Sequence, residues 1–262
     1  MQMKWTAVWA LALAAGSGGA GCTQLSPEGR TLLESGYDAA ERGDNQGTIN
    51  AMDKFLDEHG KSHRADEGYY LRGLAHYRAG HRSDARADFA KALDETSKKE
   101  VRGKARLALG DIAWDDDDMP EAEKNYRDAL KDLPADEPPT DRVYYRTGAA
   151  LQRMGKWEEA AVEFHRVMEL FKNSPFAAQA ARRVNASGWT IQVGAFKVKS
   201  AADQAVAKLR QSGIAADARP TTEGGQGLAF LVQAGSYASY EDALSALGRI
   251  RQSHHDAFIA PK

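Results

Sequence analysis

A single cysteine, Cys22, stands among the 262 residues, which excludes an intramolecular disulfide and any metal site built from a cysteine cluster. Neither sign of charge is in excess. Lys and Arg number 35 against 37 Asp and Glu, and a formal net charge of −2 gives no general reason to expect nucleic acid as a partner. The apolar run Thr6–Ala15 is about half of the ~20 residues that cross a bilayer as a helix. No nucleophile elbow, His-Glu-x-x-His or phosphate-loop signature occurs, and no segment pairs two carboxylates as a glycosidase would, so no enzymatic activity is expected. What is abundant is alanine, 46 residues, and so much small apolar surface favours closely packed helices over a sandwich of large β-branched residues.

Residues 1–21 have the three-part layout of an export signal: the cation Lys4, the apolar run, then the small residues Gly16 to Gly21. Gly19-Ala20-Gly21-Cys22 resembles the lipobox of bacterial lipoproteins, with Gly19 where leucine is usual. The resemblance implies that Cys22 becomes the first mature residue and carries lipid, with 22–29 as a tether. Thr23 stands where aspartate would imply inner-membrane retention, so the implied place is the periplasmic side of the outer membrane. The alternative is a secretory signal cut elsewhere, with Cys22 an incidental thiol.

Four columns then recur along the chain. Gly36, Gly73, Gly110 and Gly148 are spaced by 37, 37 and 38 residues, and seven residues after each come Gly43, Gly80, Asp117 and Gly155. Thr48, Ala85, Ala122 and Ala160 follow, then Met52, Phe89, Tyr126 and Phe164. A small residue permits close approach of a second helix, a Gly or Asp makes the turn, and a large side chain wedges between neighbouring hairpins. Such units bury their faces only by stacking. The pattern resembles the tetratricopeptide repeat, with Pro134 at that family's closing proline and a degenerate first copy that reads as a terminal cap. The resemblance implies a helical-hairpin solenoid over 30–184 that recruits protein partners. Phe171 to Ala180 is similar to a repeat boundary of periplasmic outer-membrane lipoproteins that help barrel assembly or envelope constriction.

After Gly188 the period changes from helical to two. Trp189-Thr190-Ile191-Gln192-Val193 reads as a strand, Ala201–Arg210 as a helix ended by Gly213, and the same text returns 41 residues later, Gln192-Val193-Gly194-Ala195-Phe196 matching Gln233-Ala234-Gly235-Ser236-Tyr237. With closing strands at 215–218 and 257–260 the order is β-α-β-β-α-β, a split βαβ, ferredoxin-like α+β domain with both helices on one face. The whole is therefore expected to be multidomain, an all-α solenoid followed by this domain over 188–262. Alternation points Ile191, Val193, Phe230 and Val232 at the helices and leaves Thr190, Gln192, Leu231 and Gln233 on the open face. The glutamines there either keep the face soluble or bind a neutral polymer through their amides.

The two Gln-x-Gly-x-aromatic cores with their helices resemble the SPOR family over 188–262. That resemblance implies binding of peptidoglycan, specifically glycan strands stripped of stem peptides, through Gln192 on the first strand and Ala195 and Phe196 at the strand-to-helix turn, and the open-face residues Thr190, Leu231 and Gln233 join them as candidates by alternation. Gln233 stands where an arginine is common in that family. Phe196 and Tyr237 also read as packing residues. The charge divides as −5 for 22–187 and +2 for 188–262, which suits lactyl carboxylates on bared glycan, with Lys197 and Arg219 as helpers. Asp115–Asp118 reads as a solvated run and His254-His255 lacks a third neighbouring ligand, so neither metal nor cofactor is expected. Together the three modules imply a non-catalytic, lipid-anchored envelope protein at division or wall-remodelling sites. The rivals are an assembly or constriction lipoprotein whose repeats are the main module, and an activator of a cell-wall hydrolase.

Overall fold

The computed structural model describes residues 25–222 and 228–262. The expected export signal, Cys22 and the glycine-rich turn 223–227 lie outside the described residues. Among those residues, eight helices form four antiparallel hairpins: α1 (Pro27–Glu41) with α2 (Asn45–His59), α3 (Ala65–Arg78) with α4 (Arg82–Glu95), α5 (Lys99–Asp115) with α6 (Met119–Leu130), and α7 (Thr140–Arg153) with α8 (Trp157–Leu170). Local chemistry sets several starts. Ser26, Asp44 and Asp118 each accept a backbone N–H of the following first turn, the usual service of a helix N-cap. None of the described helices is long and apolar enough to cross a membrane.

The sequence columns become contacts. Gly43, Gly80 and Gly155 take φ of +73°, +84° and +77°, and Asp117 takes +64°, so the turn column is the left-handed residue that folds each second helix back. In the first column a Cβ would lie 2.9 Å from Phe89 at Gly73, 2.6 Å from Tyr126 at Gly110 and 2.8 Å from Phe164 at Gly148. The large residue therefore seats against the glycine of its own hairpin as well as reaching the next one, since Phe89 shares a cluster with Ala105, Ala108 and Ile112 of α5. Phe89, Tyr126 and Phe164 are fully buried, each contributing roughly 1.5–3 kcal/mol. Tyr126 keeps its hydroxyl satisfied by donating to Asp111 Oδ1 at 3.0 Å. The short helix α9 (Pro175–Ala181) packs Ala177 and Ala180 onto Leu151, Phe164 and Val167, closing the last hairpin.

The C-terminal part is a four-stranded antiparallel sheet in the order β2-β3-β1-β4. Its strands are β1 (Trp189–Phe196), β2 (Ala216–Thr221), β3 (Ala229–Tyr237) and β4 (Phe258–Pro261), with α10 (Lys199–Gln211) after β1 and α11 (Tyr240–Ile250) after β3. Both helices press on Ile191, Val193, Val232 and Ala234. The internal doubling extends to single bonds: Arg210 donates to the Ala216 carbonyl at 2.7 and 3.0 Å, and Arg251, 41 residues on, donates to the Ala257 carbonyl at 2.9 Å.

Trp114, Trp157 and Trp189, the tryptophans among the described residues, gather where the repeats meet the sheet. Trp157 of α8 lies 5.1 Å from Trp189, ring centre to ring centre, and Trp189 lies 5.1 Å from Tyr240 at the start of α11. Trp189 is 1% exposed.

Candidate functional site

Strand register sorts the face of the sheet that the helices leave open. Ile191 pairs with Ala234, and both are core residues, so their neighbours Gln192 and Gln233, also paired, point the other way. Phe258 pairs with Gln192 from β4 and Asp217 with Gln233 from β2. The open face thus carries a row Phe258–Gln192–Gln233–Asp217 across all four strands. A second row, Ala195–Leu231–Arg219, lies beside it.

A β-bulge shapes this surface. Between the pairs Gln192–Gln233 and Gly194–Val232, β1 advances two residues while β3 advances one. Without that extra residue Phe196 would share the face of Gln192. With it, Ala195 joins the open face, and Phe196 pairs with Phe230 and packs against the helix-side core. Phe196, a ligand candidate that also reads as a packing residue, packs on the helix-side core here, as does Tyr237, whose phenol is pushed upward by burial.

Thr190 departs from expectation too. A second register shift, between Trp189 and Ile191, places the extra residue on β3, where Gly235 takes φ +72°. The Thr190 hydroxyl donates to the Gly235 carbonyl at 2.9 Å and contacts that of Ala234 at 3.3 Å, and the side chain is 1% exposed. It fastens the bulge and offers no free donor. Leu231 lies on the expected face but is only 5% exposed. The apolar surface comes instead from Phe258, 47% exposed beside Gln192. In the sequence, the signal for Phe258 is its alternation with Ile259 in the closing strand.

Gln192 and Gln233 are half-buried, so their amides are held in place yet reachable, and each offers two N–H donors and a carbonyl acceptor. An exposed aromatic ring next to such amides suits a sugar ring, whose hydroxyls need both donors and acceptors and whose C–H faces need flat apolar surface. Arg219 and Asp217 are exposed at the β2 edge, and Lys197 is exposed just past β1. Asp217 is the single carboxylate among the described strand residues of this face.

Residues 185–261 match the SPOR domain family and residues 142–174 match a tetratricopeptide repeat family. No curated protein matches the chain. Among solved structures the chain is similar to a tetratricopeptide repeat protein from Parabacteroides merdae, at 15% identity over 61% of this chain and 59% of that one, with a TM-score of 0.52. It is also similar to MamA from Desulfovibrio magneticus RS-1, at 16% identity over 62% and 84% with a TM-score of 0.51. Pseudomonas aeruginosa pilF follows, at 18% identity over 60% and 66% with a TM-score of 0.50. At these identities the likeness is one of fold. Both families are in general binding modules without catalysis, SPOR suggesting peptidoglycan and the repeats suggesting proteins. The chain is a helical tetratricopeptide-like solenoid followed by a small α+β domain that matches the SPOR family.

Proposed function

We propose that this is a lipid-anchored envelope protein that grips bared glycan strands with the open face of its SPOR sheet and gathers protein partners on its repeats at division or wall-remodelling sites. The row Phe258–Gln192–Gln233 supports this reading most directly, because it joins an exposed ring to two neutral amides in the arrangement a sugar polymer needs. Arg219 and Lys197 flank it as partners for the lactyl carboxylates that removal of stem peptides exposes. Attachment through Cys22 would hold the protein at the membrane effectively permanently, since several acyl chains at ~0.8 kcal/mol per buried CH2 resist release.

Sedimentation of the protein with purified sacculi tests the ligand. Amidase-treated sacculi should carry down far more protein than untreated ones. Equal binding to both, or none, refutes the preference for bared strands. Radiolabelled palmitate should enter the wild-type protein and not Cys22→Ser when expressed in an exporting bacterium; equal labelling removes the anchor. Deleting 188–262 should abolish localisation to the wall, whereas full retention would favour the repeats as the principal module.

A further inference from the structure

The second hairpin brings together two imidazoles and a carboxylate that the reading of the SPOR face does not use. His76 is in the last turn of α3, His81 is the residue before α4, and Asp84 is in the first turn of α4. Gly80, at φ +84°, folds the chain back between them, and the His81 N–H donates to the His76 carbonyl at 2.9 Å, which fixes the two histidines relative to each other. Their ring centroids are 5.7 Å apart. One ligand atom from each of His76, His81 and Asp84 lies within 4.8 Å of the other two.

The Nδ1 of His76 is buried and has no hydrogen-bond partner. Its Nε2 lies 3.9 Å from Asp88 Oδ2, and Asp88 is itself held by two bonds from Arg72, at 3.0 and 2.7 Å. At 3.9 Å the approach of His76 to Asp88 is a through-space contact and not a hydrogen bond. A carboxylate on the far side of the ring nonetheless favours a proton on Nε2 and leaves Nδ1 to accept or ligate, the arrangement that outer-shell carboxylates give ligating imidazoles when they close to hydrogen-bond distance.

We propose that His76, through Nδ1, together with His81 and Asp84 forms a surface site for a divalent transition-metal ion, with zinc the best match to the donors. Two imidazoles and one carboxylate suit zinc and its neighbours, whereas magnesium and calcium require oxygen ligands throughout. Tetrahedral zinc at about 2.0–2.1 Å from each ligand holds its ligand atoms about 3.3 Å apart. The cluster must therefore contract by roughly 1.5 Å, within reach of side-chain rotation because His81 and Asp84 are exposed. Water completes the shell on the solvent side. The bound ion would pin the end of α3 to the start of α4, next to the third hairpin's acidic turn, whose Asp115 accepts from Tyr77 at 2.7 Å.

Calorimetric titration of the untagged protein with zinc chloride tests the site, with magnesium chloride as the comparison. One zinc should bind per chain and magnesium should not compete. His81→Ala and Asp84→Asn, both at exposed positions, should each weaken zinc at least tenfold while leaving the circular dichroism spectrum and melting curve of the metal-free protein unchanged. The double variant His254→Ala/His255→Ala should retain full affinity. Absence of zinc binding, unchanged affinity in His81→Ala, or loss in the His254/His255 variant instead would overturn the assignment. None of these outcomes bears on glycan binding, so the two readings fail separately.

Discussion

The guanidinium of Arg153 lies 4.1 Å above the ring of Tyr240, bridging the last repeat and the SPOR domain. It also stands 5.1 Å from the centre of Trp114, and its Nη2 donates to Asp117 Oδ1 at 2.6 Å. This accounts for an irregularity in the repeats. The turn residue is glycine in three hairpins and aspartate in the third, at the same left-handed conformation. Asp117 supplies the carboxylate that aims Arg153 at the junction. The stack continues through Trp189 and Trp157, so a sequence departure in one module positions a contact to the other.

Arg153→Ala should therefore loosen the junction before it unfolds either part. A partly buried cation–π pair is worth about 1–2 kcal/mol, and the Trp157–Trp189 contact about another 1 kcal/mol. Arg153→Ala and Trp157→Ala should each speed protease cleavage near 182–188 and shift the tryptophan emission to the red. Asp117→Gly should do the same more weakly, since glycine relieves left-handed strain at that turn. Unchanged cleavage in all three would show that the stack carries no force between the parts.

The glycine column predicts a stronger effect within the solenoid. A Cβ at Gly110 would stand 2.6 Å from the buried Tyr126 ring. Gly110→Ala should destabilise the protein by about 1–3 kcal/mol through overpacking, despite alanine's higher helix propensity. Urea unfolding followed by far-ultraviolet circular dichroism measures it. A variant as stable as the wild type would mean that α5 and α6 separate without penalty.

The repeats were legible because each column is a local spacing, and the turn column shows directly as left-handed residues at 43, 80, 117 and 155. The open face was legible only in part. Alternation placed Gln192 and Gln233 correctly, but a bulge is a property of two paired strands, and no single strand announces the extra residue that turns Phe196 inward. Thr190 was lost for the same reason, since its hydroxyl answers carbonyls 44 and 45 positions away. Trp114, Trp157, Trp189 and Tyr240 lie in four separate segments, and nothing in their spacing brings them together. His76, His81 and Asp84 are close in sequence, yet their convergence depends on the Gly80 turn and on the Asp88 carboxylate behind the ring.

Acid should weaken the early repeats through Glu67. Burial alone would raise the carboxyl of Glu67. The bonds it accepts from Arg64, at 3.0 and 2.5 Å, and from Lys98, at 2.8 Å, outweigh this and bring it down to about 2 from 4.5. A depressed carboxylate contributes stability that is fully present above pH 4.5 and is lost as pH falls towards 2, on the order of 3 kcal/mol here. Glu67→Gln should flatten the fall in urea midpoint between pH 4.5 and pH 2 and be less stable than the wild type at pH 7. An equal slope in both proteins would assign the acid sensitivity elsewhere.

The open face gives the most direct test of recognition, because the residues assigned to ligand differ from those assigned to the core. Gln192 is half-buried beside the exposed Phe258, and neither belongs to the cluster beneath the helices. Gln192→Ala removes two donors and an acceptor, and Phe258→Ala removes the apolar platform, each expected to cost about 1–2 kcal/mol of binding, or five- to thirtyfold in affinity. Melting temperatures should stay within about 2 °C of the wild type. Phe196→Ala should behave in the opposite way, lowering stability by about 2–4 kcal/mol through the cavity left beside Phe230, with binding by the folded fraction kept. Binding isotherms on amidase-treated sacculi, read beside thermal melts, separate the two patterns. If Gln192→Ala and Phe258→Ala bind normally while Phe196→Ala loses binding without losing stability, the ligand contacts the turn after β1, and the row across the sheet serves only to keep that face soluble.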